Sequence, residues 1–117
     1  MRLNEVECND AVPIDGYGPG FFRIGGQKFE GAVAVFASGV KAWDGFSDTQ
    51  TIMDQADKMD ELFVGTGAEI AHLPNDFRIT LEAAGIGVAP MASPAACRTY
   101  NVLLSEGRRI AVALLPV

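Results

Sequence analysis

Four residues with chemically versatile side chains lie close together in the second half of the chain. Cys97 is a potential nucleophile, and Arg98 could bind an anion. Tyr100 and Asn101 could donate or accept hydrogen bonds. A thiol about one turn into a helix can have a modestly lowered pKa, but nucleophilic catalysis also needs an activating base. The one histidine, His72, lies just before another predicted helix, and sequence spacing does not decide whether it meets Cys97. We predict no catalytic residue and expect Cys97 to be a small core residue.

The glycine turn Gly65-Thr66-Gly67, which follows a predicted strand, is a second candidate. Ligands of α/β proteins often bind where strands end, and glycines let a ligand approach the backbone. A dinucleotide fingerprint would need a third glycine at the position of Ile70, and the Walker lysine is also missing. Two interpretations remain: a tight structural turn, or part of an anion or small-molecule pocket with Arg98, Tyr100 and Asn101.

The polar residues near position 100 form a stripe if this segment is helical. Arg98, Asn101 and Ser105 are spaced to lie on one helical face. In so apolar a neighbourhood, such a stripe could hold the backbone of an adjacent loop or line a pocket. A buried guanidinium would be costly without acceptors, so we expect Arg98 to find them if it is buried.

Composition excludes several classes of protein. The chain has 117 residues, of which 49% are hydrophobic, as expected for one globular domain rather than a disordered chain. Its two cysteines, Cys8 and Cys97, do not form a CxxC pair, so we expect no metal site and no cofactor.

The net charge of −6 is concentrated between Asp44 and Glu61, where six acids stand against one base, Lys58. An acidic surface repels phosphate backbones and anionic membranes, so we expect no nucleic-acid partner. This stretch is either a solvated face or a docking patch for a basic protein partner. The N-terminal residues show no apolar run, and the apolar tail 110–117 is too short to span a bilayer. We therefore expect a cytoplasmic protein without direct membrane insertion.

The first half of the chain is predicted to form β-structure. Phe21–Ile24 is predicted to be a strand, and Gly25-Gly26 is predicted to be a two-residue hairpin turn. A return strand should run from Gln27 to about Ala37, with Gly31 marking a bulge. The end of that strand is apolar on both faces, so it should be deeply buried.

The second half alternates strands and helices, which predicts an α/β domain over residues 1–117. A short helix over 49–59 would take Asp48 as its N-cap, and Ser93-Pro94 would open a later helix by cap and first-turn proline. In chain order, the predicted elements are a helix over 49–59, a strand over 61–65, a helix from Pro74 to Gly85, a strand over 86–91, a helix from Ser93 to Glu106 and a strand over 110–115.

Several segments together resemble a known family, most specifically through Ala-Cys-Arg-Thr-Tyr-Asn. The matching segments are residues 17–24, 64–67, 85–88, 95–104 and 106–109. They resemble the Mth-like domains of unknown function, a family that includes the mitochondrial respiratory complex I assembly factor three. The likeness covers about residues 14–117. Ala37 stands where relatives usually have a proline, and Ala92-Ser93-Pro94 stands where they often have an Asp-Thr-Gly-like turn.

This resemblance implies a three-layer β/α fold with a mixed central sheet, to which the residues add an N-terminal β-hairpin. It also implies a last strand antiparallel to its neighbours, no established reaction and a role in binding proteins during assembly. Our hypothesis is a non-enzymatic protein-interaction or assembly-factor-like module. The alternative is a small-molecule or anion-binding domain, conceivably an enzyme, with its pocket near Gly65–Gly67 and Arg98.

Overall fold

The computed structural model of the protein describes residues 12–117, and Cys8 lies outside them. Those residues form two sheets with three helices and a 3₁₀ turn. In chain order, the elements are β1 (Ile14–Gly18), β2 (Phe21–Ile24), β3 (Gln27–Glu30), β4 (Val33–Phe36), β5 (Gly39–Ala42), α1 (Gln50–Met53), the 3₁₀ turn (Ala56–Lys58), β6 (Glu61–Gly65), α2 (Asn75–Ala83), β7 (Gly87–Met91), α3 (Ser93–Ser105) and β8 (Ile110–Leu114).

The central sheet has five strands in the order β5-β4-β8-β6-β7, and it is mixed, as expected. The last strand, β8, is antiparallel to β4 but parallel to β6. The expectation that β8 is antiparallel to both neighbours is therefore correct for β4 and wrong for β6. The reason is that α3 is a crossover helix, which returns the chain so that β8 runs in the same direction as β6 and β7.

The strand β8 shows why three layers form. Its large side chains, Ile110, Val112 and Leu114, pack with α3 and the three-stranded sheet on one face. Its small ones, Ala111 and Ala113, pack with α2 on the other face. All five residues are buried, as the continuous apolar run predicted. The central sheet is thus covered by α1 and α2 on one side and by α3 with the small sheet on the other.

The predicted hairpin is part of a three-stranded antiparallel sheet in the order β1-β2-β3. Gly25 and Gly26, with φ of +57° and +82°, form the expected tight turn. The prediction of a single return strand from Gln27 to about Ala37 is wrong. The chain leaves the small sheet at Gly31, where φ is +82°, and enters the central sheet as β4. Gly31 is therefore a break between two sheets rather than a bulge within one strand.

The helix predicted over residues 49–59 is also interrupted. Only α1 and the following 3₁₀ turn are helical, although Ile52 and Met59 are buried as their spacing suggested. Asp48 accepts hydrogen bonds from the backbone N and Oγ1 of Thr51, at 3.1 and 2.7 Å, as expected of a capping residue. The bond from the Thr51 hydroxyl is the main reason that the pKa of Asp48 is lowered.

The two longer helices match the prediction closely. After α2 and α3 the chain passes through Gly85 and Gly107, whose positive φ values of +87° and +77° suit a helix end. Pro74 lies just before α2 rather than in its first position. Within residues 12–117, none of the helices combines the length and apolar composition that crossing a membrane requires.

Candidate functional site

The beginning of α3 is joined to the glycine turn and to the end of β8 by one hydroxyl group. The Oγ of Ser93 donates to the carbonyl oxygen of Leu115 at 2.7 Å and accepts from the backbone N of Gly67 at 2.9 Å. The backbone N of Ser93 also donates to the carbonyl oxygen of Gly67 at 2.7 Å. Ser93 is completely buried. The prediction that Ser93 caps its own helix is wrong, because its hydroxyl binds two other segments.

Gly65 is required by the closeness of this junction. A Cβ atom added at Gly65 would lie 2.6 Å from Oγ of Ser93 and 2.8 Å from Cδ2 of Leu114. It would also lie 2.8 Å from the Cα of Ser93, which belongs to the backbone and cannot rotate away. The end of β6 can therefore approach α3 this closely only without a side chain at this position.

The remaining polar groups of the turn are also used inside the molecule. The backbone N of Thr66 donates to the carbonyl oxygen of Met91 at 2.8 Å. The Thr66 hydroxyl lies 2.7 Å from the carbonyl oxygen of Glu69 and accepts from the backbone N of Ala71 at 3.0 Å. An anion cradle needs unbonded amides, so these bonds favour the structural interpretation of the turn. The pocket at Gly65-Thr66-Gly67 stays a prediction without support from this geometry.

Asn101 holds the first strand against α3. Its Oδ1 accepts from the backbone N of Ile14 at 2.8 Å, and its Nδ2 donates to the carbonyl oxygen of the same residue at 2.8 Å. The amide side chain thus mimics a neighbouring strand. Of the predicted stripe, Asn101 binds backbone groups of another segment, which is strand β1 instead of a loop. Ser105 binds a carbonyl of its own helix, and Arg98 is exposed.

Cys97 and Tyr100 face the core between α3 and the sheets. Cys97 is a buried core residue, as predicted. Burial raises the pKa of Cys97 to about 11, which outweighs any lowering by the helix, so the thiol is protonated at neutral pH. Burial likewise raises the pKa of Tyr100 to about 12. The Tyr100 hydroxyl is buried and has no hydrogen-bond partner among residues 12–117.

Arg98 lies apart from these residues on the outer side of α3. It is exposed, so water can supply the acceptors that a buried guanidinium would have needed from the protein. It lines a shallow, mainly apolar concavity of about 260 Å³ with Thr99, Val102 and Leu103. The glycine turn is not among the described residues that line this concavity. The structure therefore does not bring Arg98 and the turn together into one site.

Arginines from a distant part of the chain offset some of the acidic stretch. Arg108 approaches Glu61 at 3.2 Å, and Arg109 approaches Asp60 at 3.3 Å. Arg109 also donates to the carbonyl oxygen of Asp57 at 2.8 Å. Exposed pairs such as these contribute only about 0–1 kcal/mol each, but they reduce the local excess of negative charge. A basic partner for this stretch stays a prediction.

A surface that the sequence analysis did not single out lies on the three-stranded sheet. Phe22 and Ile24 point into the core, so Arg23 projects from the opposite face. The strand register places Arg23 directly opposite Lys28, and both residues are exposed. We call these two residues the cation pair. From the sequence, the two-residue turn at Gly25-Gly26 and the alternation of side chains along a strand would have shown that these two residues lie opposite each other on the exposed face.

Metal ligands do not cluster in the part of the chain that the structure describes. Between residues 12 and 117, no group of three or more His, Cys, Asp or Glu side chains is arranged to hold a metal ion. His72 is exposed, in the segment that precedes α2, whereas Cys97 is buried under α3.

The family model for a protein of unknown function, DUF498/DUF598, matches residues 14–115. This chain belongs to that family. An uncharacterized protein of Rhodobacter capsulatus is 50% identical over all 117 residues and 94% of its own length. The zebrafish (Danio rerio) protein named NADH dehydrogenase (ubiquinone) 1 alpha subcomplex assembly factor 3 is 30% identical over 99% of this chain and 71% of its own.

A solved structure from Bordetella pertussis, described as an Mth938-like domain, matches the fold. It superimposes with a TM-score of 0.76 at 28% identity, covering 99% of this chain and 92% of its own. The resemblance inferred from the sequence motifs is therefore confirmed, as is the three-layer α/β architecture. The family is one of unknown function, and relatives of this chain include proteins named as NADH dehydrogenase assembly factors.

Proposed function

We propose that this protein is a non-enzymatic protein-binding module that takes part in the assembly of a larger complex. The observation that carries the proposal is the similarity over 99% of the chain to a zebrafish protein named as an assembly factor. Because the match extends through both sheets and all three helices, it concerns the whole fold rather than one motif.

The geometry of α3 supports binding rather than catalysis. Ser93 and Asn101 are bonded to the backbone of other segments. The Cys97 thiol has a raised pKa of about 11, which makes it a poor nucleophile at neutral pH. The bonds of Ser93 and Asn101 and the burial of Cys97 therefore favour structural roles for these three residues, whereas Arg98 is exposed. Recognition of a protein partner then depends on exposed groups at the surface.

A protein is a better partner for this chain than a nucleic acid. The net charge of −6 opposes association with a phosphate backbone. Protein partners instead recognise local patches, in which short-range contacts can outweigh the overall charge because salt screens distant charges over about 8–10 Å.

Cross-linking in living cells, followed by purification of the tagged chain and mass spectrometry, tests the proposal. We expect a small set of proteins to be enriched over the tag alone, with cross-links that map to exposed residues of this chain. The purified protein is screened in parallel by thermal denaturation against a metabolite panel. A ligand that raises the melting temperature by several degrees, with no protein enriched over the tag, would overturn the proposal in favour of a small-molecule site.

A further inference from the structure

The cation pair is an arrangement that folding alone does not explain. In an antiparallel pair, directly opposite side chains have Cβ atoms about 4.5–5.5 Å apart, and like charges in that position are destabilising. Arg23 and Lys28 occupy such positions on β2 and β3. A less costly pairing would place a carboxylate opposite one of the two cations. The small sheet therefore places two like charges at directly opposite positions on its outer face.

Carboxylates of the same sheet offset this repulsion only in part. Lys28 approaches Glu30 at 3.7 Å, but the side chains are 49% and 80% exposed. Asp15 accepts from the backbone N of Gly26 at 2.7 Å, which ties it to the hairpin turn. Arg23 has no carboxylate within ion-pair distance among residues 12–117, whereas Arg78, Arg108 and Arg109 each have one.

The surroundings of the cation pair leave it accessible and partly fixed. The ammonium of Lys28 lies 4.8 Å from the centroid of the Phe21 ring, which holds the lysine on the outer face. Across the sheet, the residue opposite Arg23 on β1 is Gly16. A Cβ atom added at Gly16 would meet nothing within 4 Å, so the sheet has no side chain and open space at the position next to Arg23 on β1.

We infer that the outer face of the three-stranded sheet binds a short acidic segment of a protein partner. A carboxylate can accept two parallel hydrogen bonds from a guanidinium, and a second acceptor would satisfy the ammonium of Lys28. The exposed part of the Phe21 ring offers an adjacent apolar contact. This inference rests on the proposed function and specifies the partner chemistry at one surface.

The size of the face indicates a segment rather than a globular surface. Three strands of four or five residues, spaced about 4.8 Å apart, cover far less than the roughly 800 Å² per partner of a stable interface. A linear segment can place a carboxylate over the cation pair without needing a large complementary surface.

The probe is a short fluorescein-labelled peptide in which glutamate alternates with phenylalanine, and its twin has glutamine in place of glutamate. Fluorescence anisotropy at low and high salt measures binding to the full chain. We expect the acidic peptide to bind, its glutamine twin to bind at least about tenfold more weakly, and salt to weaken binding. Backbone amide shifts in the NMR spectrum should concentrate on β2 and β3.

Charge-reversal variants, with a matched control, test whether peptide binding depends on the cation pair. Arg23→Glu with Lys28→Glu should weaken binding by about tenfold or more. Lys41→Glu with Lys58→Glu makes the same change in net charge on exposed residues elsewhere, and it should weaken binding by no more than about twofold. A lysine-containing version of the peptide should bind the Arg23→Glu, Lys28→Glu variant better than the original protein.

Several results would overturn the inference. One is equal weakening by the two double variants, which would indicate a general field effect. Others are stronger binding of an oligothymidylate or of phosphatidylglycerol vesicles than of the peptide, or self-association of the free chain that the Arg23→Glu, Lys28→Glu variant abolishes. If in-cell cross-linking recovers the same partner with that variant, the inference fails while the proposed function stands.

Discussion

The inner side of α3 and the outer face of the small sheet use polar residues in opposite ways. On α3, Ser93 and Asn101 have their hydrogen-bonding groups satisfied by backbone atoms of other segments. On the small sheet, Arg23 and Lys28 face each other and solvent. The comparison teaches that a conspicuous polar motif can be architectural, while an inconspicuous one is available for recognition. Substitutions should therefore change stability in the first region and binding in the second.

Gly65→Ala should have the largest effect. The added methyl group would overlap Oγ and Cα of Ser93, and forcing atoms into a packed junction costs about 3 kcal/mol. Urea denaturation followed by circular dichroism measures the loss. Gly16→Ala is the control, because its Cβ would meet nothing within 4 Å, and it should stay within about 0.5 kcal/mol. Equal effects at the two glycines would refute the close approach of β6 and α3.

Alkaline pH should destabilise the protein through Cys97. Burial raises the pKa of this thiol from 9.0 to about 11, so its stabilising effect is present below pH 9 and is lost as pH rises through the folded-state value. Cys97 alone should lower the free energy of unfolding by about 1.4 kcal/mol per pH unit within this range. The buried Tyr100, whose pKa is raised from 10.0 to about 12, should add to the fall above pH 10. Urea titrations at pH 8–11 measure the slope, which Cys97→Ala should reduce. An identical slope in that variant would contradict the prediction.

Asn101→Ala should destabilise the protein by about 2 kcal/mol, because it leaves the backbone N and O of Ile14 without their partners. Thermal denaturation and amide hydrogen exchange in β1 both report the effect, and exchange should quicken there first. Ser105→Ala serves as the control, since that exposed hydroxyl binds only a carbonyl of its own helix. Unchanged protection of β1 would count against the strand-like role of Asn101.

Tyr100→Phe should stabilise the protein by about 1 kcal/mol. The hydroxyl is buried without a partner among the described residues, and removing it ends the cost of its desolvation while keeping the ring. The urea midpoint should rise, whereas the control Tyr17→Phe, at a residue that is 45% exposed, should leave it unchanged. A lower midpoint for Tyr100→Phe would show that the hydroxyl has a partner, such as a buried water.

Arg23→Gln should have the smallest effect on stability, a gain of about 0.3 kcal/mol from removing one of two like charges at opposite strand positions. Urea denaturation at low salt measures it, with Lys41→Gln as the control on another strand. A loss above about 1 kcal/mol would show that Arg23 supports the fold, and the contrast between the two regions would disappear.

Local sequence patterns were sufficient for features that depend on neighbours in the chain. The proline after Ser93 and the glycine at position 107 delimited α3 to within a residue. The apolar run before the C-terminus correctly predicted a strand covered on both faces. The Gly25-Gly26 turn fixed the register that sets Arg23 against Lys28, because a two-residue loop leaves one way to pair the flanking residues.

Other features could not be deduced from such patterns. Gly31 was recognised as unusual, but a bulge and a break between sheets both suit a glycine with positive φ. The strand β1 was missed because glycines interrupt its sequence, and Asn101 holds it from a distant helix. The helix over 49–59 was overextended because the spacing of its apolar residues is also met by α1 and a 3₁₀ turn.

By itself, the sequence determined the α/β class, the ends of the long helices, the hairpin register and the burial of the last strand. Each of these follows from conformational preference or periodicity within a single segment. Only the tertiary structure decided that Ser93 binds Leu115 and Gly67, that Arg98 stays exposed, and that β8 runs parallel to β6. These features depend on which distant segments pack together. The sequence pattern of a segment indicates which of its faces is buried, but not which other segment covers that face.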